Sequence, residues 1–207
     1  MRKNMRLSIP FRRLLILMVV ALFVAIGIAR YRSVRQSMRK MQVRIAAYDA
    51  LIVAVKHDDI PAIKNLTAYG ADVNAVYTEI DHINAYGWSV QYDYDYGRPL
   101  LVTAAAYAHT DTSRLLLELG ANPNSFSHDG WIPLTMAISE RRIDIVRLLL
   151  QWGADPNLNG TYAVSPGNES TPMKEARHSS RIYKDTPNER EDMRKLIAIL
   201  KEAGARE

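Results

Sequence analysis

The chain has no cysteine, which excludes disulfides, thiolate nucleophiles and thiolate metal sites and fits an oxidising compartment. Its first 44 residues lack any acidic side chain yet hold eleven Lys or Arg, so the formal net charge of +5 misleads. Beyond residue 44, sixteen basic residues face twenty-two acidic ones, a net of −6. A folded part of that sign lacks the basic face that nucleic acid demands, and no nucleic-acid partner is expected. Also missing are G-x-x-x-x-G-K, G-x-S-x-G and H-E-x-x-H. Without a phosphate loop, a nucleophile elbow or a zinc helix, neither an enzyme nor a cofactor is expected. His82, His109 and His128 have no metal-ligand spacing. Asp93-x-Asp95-x-Gly97 opens like a calcium loop, but its twelfth position is Ala104, where a bidentate Glu is required.

What is present begins with an unbroken apolar run, residues 14–29, L-L-I-L-M-V-V-A-L-F-V-A-I-G-I-A. A spanning helix needs about 17–25 such residues, and flanking arginines extend a shorter one by snorkelling. The run reads as a transmembrane anchor behind a basic tail, 1–13. The competing reading is a signal peptide cut after Ala29, with Gly27 and Ala29 as its small residues. The run exceeds a signal core of about 7–15 residues, which favours the anchor. Orientation is nearly a tie, with five basic residues before the run and six in 30–44. A short tail of five charges resists export, whereas a long domain crosses largely regardless of charge. The expectation is a single-pass protein of a bacterial inner membrane with its folded part in the periplasm.

From Tyr31 to Ile60 neither Gly nor Pro occurs. Tyr31, Val34, Met38, Met41, Ile45, Tyr48 and Ile52 follow a 3,4 spacing that suits a coiled-coil seam or a helix edge packed on a core. Residues 30–47 are read as a linker or capping helix.

Further on, P-L-L-V-T-A-A-A-Y-A-H-T-D-T-S-R-L-L-L-E-L-G-A-N-P-N superimposes on I-P-L-T-M-A-I-S-E-R-R-I-D-I-V-R-L-L-L-Q-W-G-A-D-P-N, Gly120 falling on Gly153 with a period of 33. A fixed period of this length marks a solenoid whose units bury their apolar stripes only by stacking. Pro133 opens one helix. Ile143, Val146, Leu149 and Leu150 stripe a second, which Gly153 ends in the left-handed conformation; Asp155 and Asn157 form the turn beyond.

This unit resembles the ankyrin repeat, whose signature is T-P-L-H-x-A, a Leu-Leu second helix and G-A-D-x-N. The resemblance implies an all-α solenoid of four helix-turn-helix units after one transmembrane helix, with a repeat domain over 48–207. The units are placed at 48–76, 98–129, 130–162 and 170–207. The first opens Asp49-Ala50-Leu51 and closes Gly70-Ala71-Asp72-Val73-Asn74; the last opens Thr171-Pro172-Met173 with Thr171 as cap. His109 takes the place of the family's structural His, and Arg141-Arg142 replace its Gly-His turn. Ala176 and Gly204 lie 28 apart against 16 for Ala137 and Gly153. Twelve extra residues therefore lengthen the inner turn of the last unit, before a second helix read from Met193 to Ala203.

Gly70 and Gly120 lie 17 residues beyond one period. The excess falls in an insertion, 77–97, that carries Tyr77, Asp81, Tyr86, Trp88, Tyr92, Asp93, Tyr94, Asp95 and Tyr96, with no Lys or Arg between Lys64 and Arg98. Insertions in repeat arrays map to loops, and Tyr and Trp supply rigid contact area. These nine residues are the candidate partner-binding set; the competing reading packs them back on the array. The resemblance implies a protein-binding module, with a toxin-neutralising immunity protein directed at a secreted phospholipase or other lipase as the sharper form. A membrane scaffold that forms a homodimer through 30–48 is the alternative.

Overall fold

A computed structural model describes residues 9–77, 97–161, 169–182 and 187–206. The chain divides into two compact units, 1–43 and 44–207.

Helix α1 spans Ile9–Lys56, and from Tyr31 onward its sequence holds neither Gly nor Pro. In the first unit, residues 17–40 are all exposed, with Leu17, Phe23 and Val24 more than half accessible. An apolar helix with no protein against it is suited to a bilayer, not to water. By length and composition it can cross a membrane, with mean hydropathy 1.8 over its most apolar stretch.

The second unit stacks helical hairpins. The end of α1 pairs with α2 (Ile60–Ala68); α3 (Leu100–Ala106) with α4 (Thr110–Glu118); α5 (Pro133–Ser139) with α6 (Ile143–Gln151); and α7 (Pro172–Ile182) with α8 (Pro187–Glu202). First helices pack on first helices, α3 on α5 and α5 on α7, and second on second, α4 on α6 and α6 on α8. One core runs through all four hairpins, from Tyr48, Leu51 and Val55 through Leu101, Leu116, Leu134 and Leu149 to Met173 and Leu200. Local chemistry starts these helices as the sequence suggests. Asp59 accepts from the Ala62 amide at 2.9 Å, and Thr171 accepts from that of Lys174 at 3.3 Å. Where the family has a His, the Thr135 hydroxyl donates to the Ile132 carbonyl and accepts from its amide.

Gly70, Gly120, Gly153 and Gly204 all have φ between 83° and 90°, and each closes its helix. The following amide, for example Ala154, donates back to Leu149. The Asn that follows then leaves its own unit. Asn74 donates its side-chain amide to Gly120 O and accepts from Asn122 N; Asn124 does the same with Gly153 and Asp155, and Asn157 with Gly204 and Arg206. Each staple satisfies one orphan carbonyl and one loop amide of the next hairpin. By sequence, Asp155 and Asn157 are both turn formers. Asp155 is one, accepting from Asn157 N at 2.8 Å, but Asn157 acts between units.

The last hairpin differs from expectation. Its extra residues extend both helices: α7 has 11 residues where α3 and α5 have 7, and α8 has 16 where α4 and α6 have 9. Proline at its first position starts α8 six residues before Met193. The E-R-E-D-M-R-K run behind it is built of good helix formers. Before α7, a two-residue antiparallel ladder pairs Gly160 with Ser170 and Thr161 with Glu169, the only strand pairing among the described residues.

Candidate partner-binding surface

Of the nine candidate residues, Tyr77 lies among the described residues. Asp81, Tyr86, Trp88, Tyr92, Asp93, Tyr94, Asp95 and Tyr96 lie outside them, as does His82. Tyr77 is half-buried, its ring set edge-on to that of Tyr48 with centroids 5.4 Å apart. Tyr48 is itself 1% exposed, and its hydroxyl donates to the Arg98 carbonyl oxygen at 2.8 Å. One buried tyrosine therefore contacts the chain at both ends of the insertion: its ring meets Tyr77 and its hydroxyl meets Arg98. Tyr77 thus touches the array on one side and remains part-exposed on the other.

The return end is fixed further. Gly97 has φ +77°, accepts from His128 N at 3.1 Å, and a Cβ there would come within 2.7 Å of the His128 ring. Only glycine fits both conditions. The Arg98 guanidinium meets Asp129 at 2.9 Å; Asp129 also accepts from the Ser127 hydroxyl, which lies 3.0 Å from Trp131 O. Burial pushes the Asp129 carboxyl up, but the hydrogen bonds from Ser127 and Arg98, with the charges of Arg98 and His128, outweigh it and hold the group below its usual 3.8.

The inner turns, between the two helices of each hairpin, carry a second set of contacts. Asp58, Ala108 and Arg141 occupy equivalent places and all have positive φ, 54°, 65° and 56°. His109 lies with Nε2 3.0 Å from the Lys56 carbonyl, which can only accept, so that nitrogen bears the proton. Thr112 donates to Asp58 at 2.5 Å. Both contacts cross from the second hairpin to the first, which matches the structural role the resemblance implied for His109. Arg141 faces Glu189 of the lengthened α8 at 3.5 Å. Among the described residues no group of His, Asp and Glu has an arrangement that could hold a metal ion.

Sequence reading missed a repeating apolar feature. The residue before the helix-ending glycine of the first three hairpins is Tyr69, 92% exposed, then Leu119 and Trp152, both exposed; before Gly204 it is Ala203. Val76 and Phe126, equivalent to each other in the loops, are also exposed. The period that aligned the glycines carries this signal too, since each residue sits at a constant offset from them.

A scan against protein-family models matches the one described as ankyrin repeats (3 copies) over residues 51–160. A search of the curated proteins finds no match.

Proposed function

The chain belongs to the ankyrin-repeat family, whose repeats are protein–protein interaction modules, and from that premise we propose a membrane-anchored module that binds one protein partner without catalysing a reaction. The partner engages Tyr77–Tyr96 and the adjacent concave surface, with the repeat domain on the periplasmic side of a bacterial inner membrane. The observation that carries this reading is the neck of the insertion. Tyr48 contacts Tyr77 and Arg98, the residues on either side of the segment, and restraint of a loop's ends lowers the entropy cost of binding. Scaffold and binding site are thus separated, as function grafted on a fold requires. The sharper form is an immunity protein that neutralises a secreted toxin, a phospholipase effector in particular; it rests on analogy with small exported ankyrin proteins.

The test is capture of the partner by the full chain, followed by titration of wild type and the Trp88→Ala, Tyr92→Ala, Tyr94→Ala triple variant. The reading requires at least a tenfold loss of affinity, since aromatic anchors contribute about 2 kcal/mol or more each. For the sharper form, the captured protein must be a hydrolase whose activity falls as the wild-type chain is added. Equal affinity of both chains would move the site away from the insertion.

A further inference from the structure

The segment just past the apolar run has a charge pattern that the partner-binding reading does not use. Residues 30–44 carry Arg30, Arg32, Arg35, Arg39, Lys40 and Arg44 and no acid. They lie on α1 with no Gly or Pro to bend it. At 100° per residue, Tyr31, Val34, Met38 and Met41 fall in an arc of about 80°, and the bases spread over the remainder. Tyr31, Val34 and Met38 are exposed, at 65%, 54% and 42%. Ile45 and Tyr48 continue the same stripe but are buried in the repeat core.

A second copy suits this face poorly. With Ile45 and Tyr48 taken, the free seam runs only from residue 31 to 41, well short of the three to four heptads or so that a coiled coil sustains. In a parallel pair the flanking positions would also set Arg30 against Arg35 of the other copy, a like-charge contact. An anionic surface suits it better, and the nearest is set by the chain itself. The run 14–29 spans about 24 Å at 1.5 Å per residue, less than the roughly 30 Å of a hydrocarbon core, so residues 30–33 are drawn to the boundary. Arg35 then lies about 9 Å beyond Ala29, close to the depth of the headgroup layer. Helical side chains lean toward the helix N-terminus. On this flank that direction is toward the membrane, whereas Arg12 and Arg13 lean away from it. Tyr31 falls at the level where aromatic rings settle among headgroups.

We propose that Arg30, Arg32 and Arg35, with Tyr31 beside them, form a binding surface for anionic lipid headgroups on the leaflet from which α1 leaves toward the repeats. This rests on the membrane-spanning reading of residues 14–29. The surface gives the anchor a lipid preference and holds the base of the helix at the membrane.

The absence of cysteine makes the test direct, because Gln36→Cys provides a single site for a nitroxide. Full-length chain is placed in nanodiscs of phosphatidylcholine alone or with about 30% phosphatidylglycerol, the anionic component the surface requires. Accessibility of the label to a neutral nickel chelate is read by power saturation. The expected result is a fall of about twofold in the anionic discs, reversed by 1 M salt, which shortens screening to about 3 Å, and absent in the Arg30→Gln, Arg32→Gln, Arg35→Gln variant. Equal accessibility in both lipids overturns the proposal. Dipolar broadening between labels at dilute loading overturns it in favour of a second copy. Flotation of the unlabelled chain with carbonate-washed phosphatidylcholine vesicles separates the two claims: a chain left behind refutes the anchor, while a chain that floats with unchanged accessibility refutes only the headgroup surface.

Discussion

Ala108→Gly should stabilise the protein, against the usual expectation for a glycine beside a helix. Ala108 has φ +65° in the inner turn of the second hairpin. A left-handed residue with a Cβ costs about 1–2 kcal/mol. Glycine removes that strain but adds about 0.5–1 kcal/mol of unfolded-state entropy, leaving a net gain of about 0.5–1 kcal/mol. For a domain of this size that raises Tm by about 2 °C. The equivalent positions provide an internal scale. Arg141→Gly relieves the same strain but loses the contact with Glu189 at 3.5 Å, a surface pair contributing about 0–1 kcal/mol, so it gains less. Asp58→Gly also strips the acceptor from Thr112, whose side chain is fully buried. An unsatisfied buried hydroxyl costs about 1–3 kcal/mol, so this variant loses stability. The assay is paired thermal and urea melts of the three variants. A lowered Tm for Ala108→Gly, or Asp58→Gly as the most stable of the set, would refute the account of the inner turns.

Leu149→Asp places an unpaired charge where the native side chain is 0% exposed, and should cost about 4 kcal/mol or more and abolish the cooperative melt; a wild-type melt would remove this face from the core. Asn124→Ala removes both ends of one inter-unit staple and should lower stability by about 1–2 kcal/mol; Asn124→Asp, which keeps the acceptor and loses the donor, should fall between it and wild type. Asp129 titrates below its unfolded value, so its stabilisation is complete above pH 3.8 and is lost as the pH falls through the lower, folded value. Asp129→Asn should therefore flatten the acid limb of the stability profile below that pH and leave its shape near neutrality unchanged.

The stack was legible because each hairpin repeats one local pattern: apolar residues at helical spacing, then a glycine. The period placed Gly120 over Gly153, and the same offset put Arg141 in the family's turn, where φ is +56°. What escaped was chemistry between units. Asn157 reads as a turn residue, yet its partners are 47 and 49 positions away. Tyr48 reads as one more position of an apolar stripe, and nothing in that stripe shows that its hydroxyl reaches Arg98, 50 residues on. In the last hairpin, alignment to shorter units assigned the extra residues to a turn, although Glu, Arg and Lys favour helix there. The candidate site was legible as a break in the period. Its composition alone does not separate partner contact from packing on the array; Tyr77 touches the Tyr48 ring and keeps part of its surface exposed.

Replacement of residues 78–96 by a short Gly-Ser linker tests the separation of scaffold from site most directly. Residues beyond one period are not needed for neighbours to stack, and Tyr48, Tyr77 and Arg98 remain in place. The measurement is partner affinity alongside the thermal melt of the same preparation. The account predicts a melt within about 2 °C of wild type and loss of binding. A collapsed melt, or an intact melt with unchanged affinity, would contradict it.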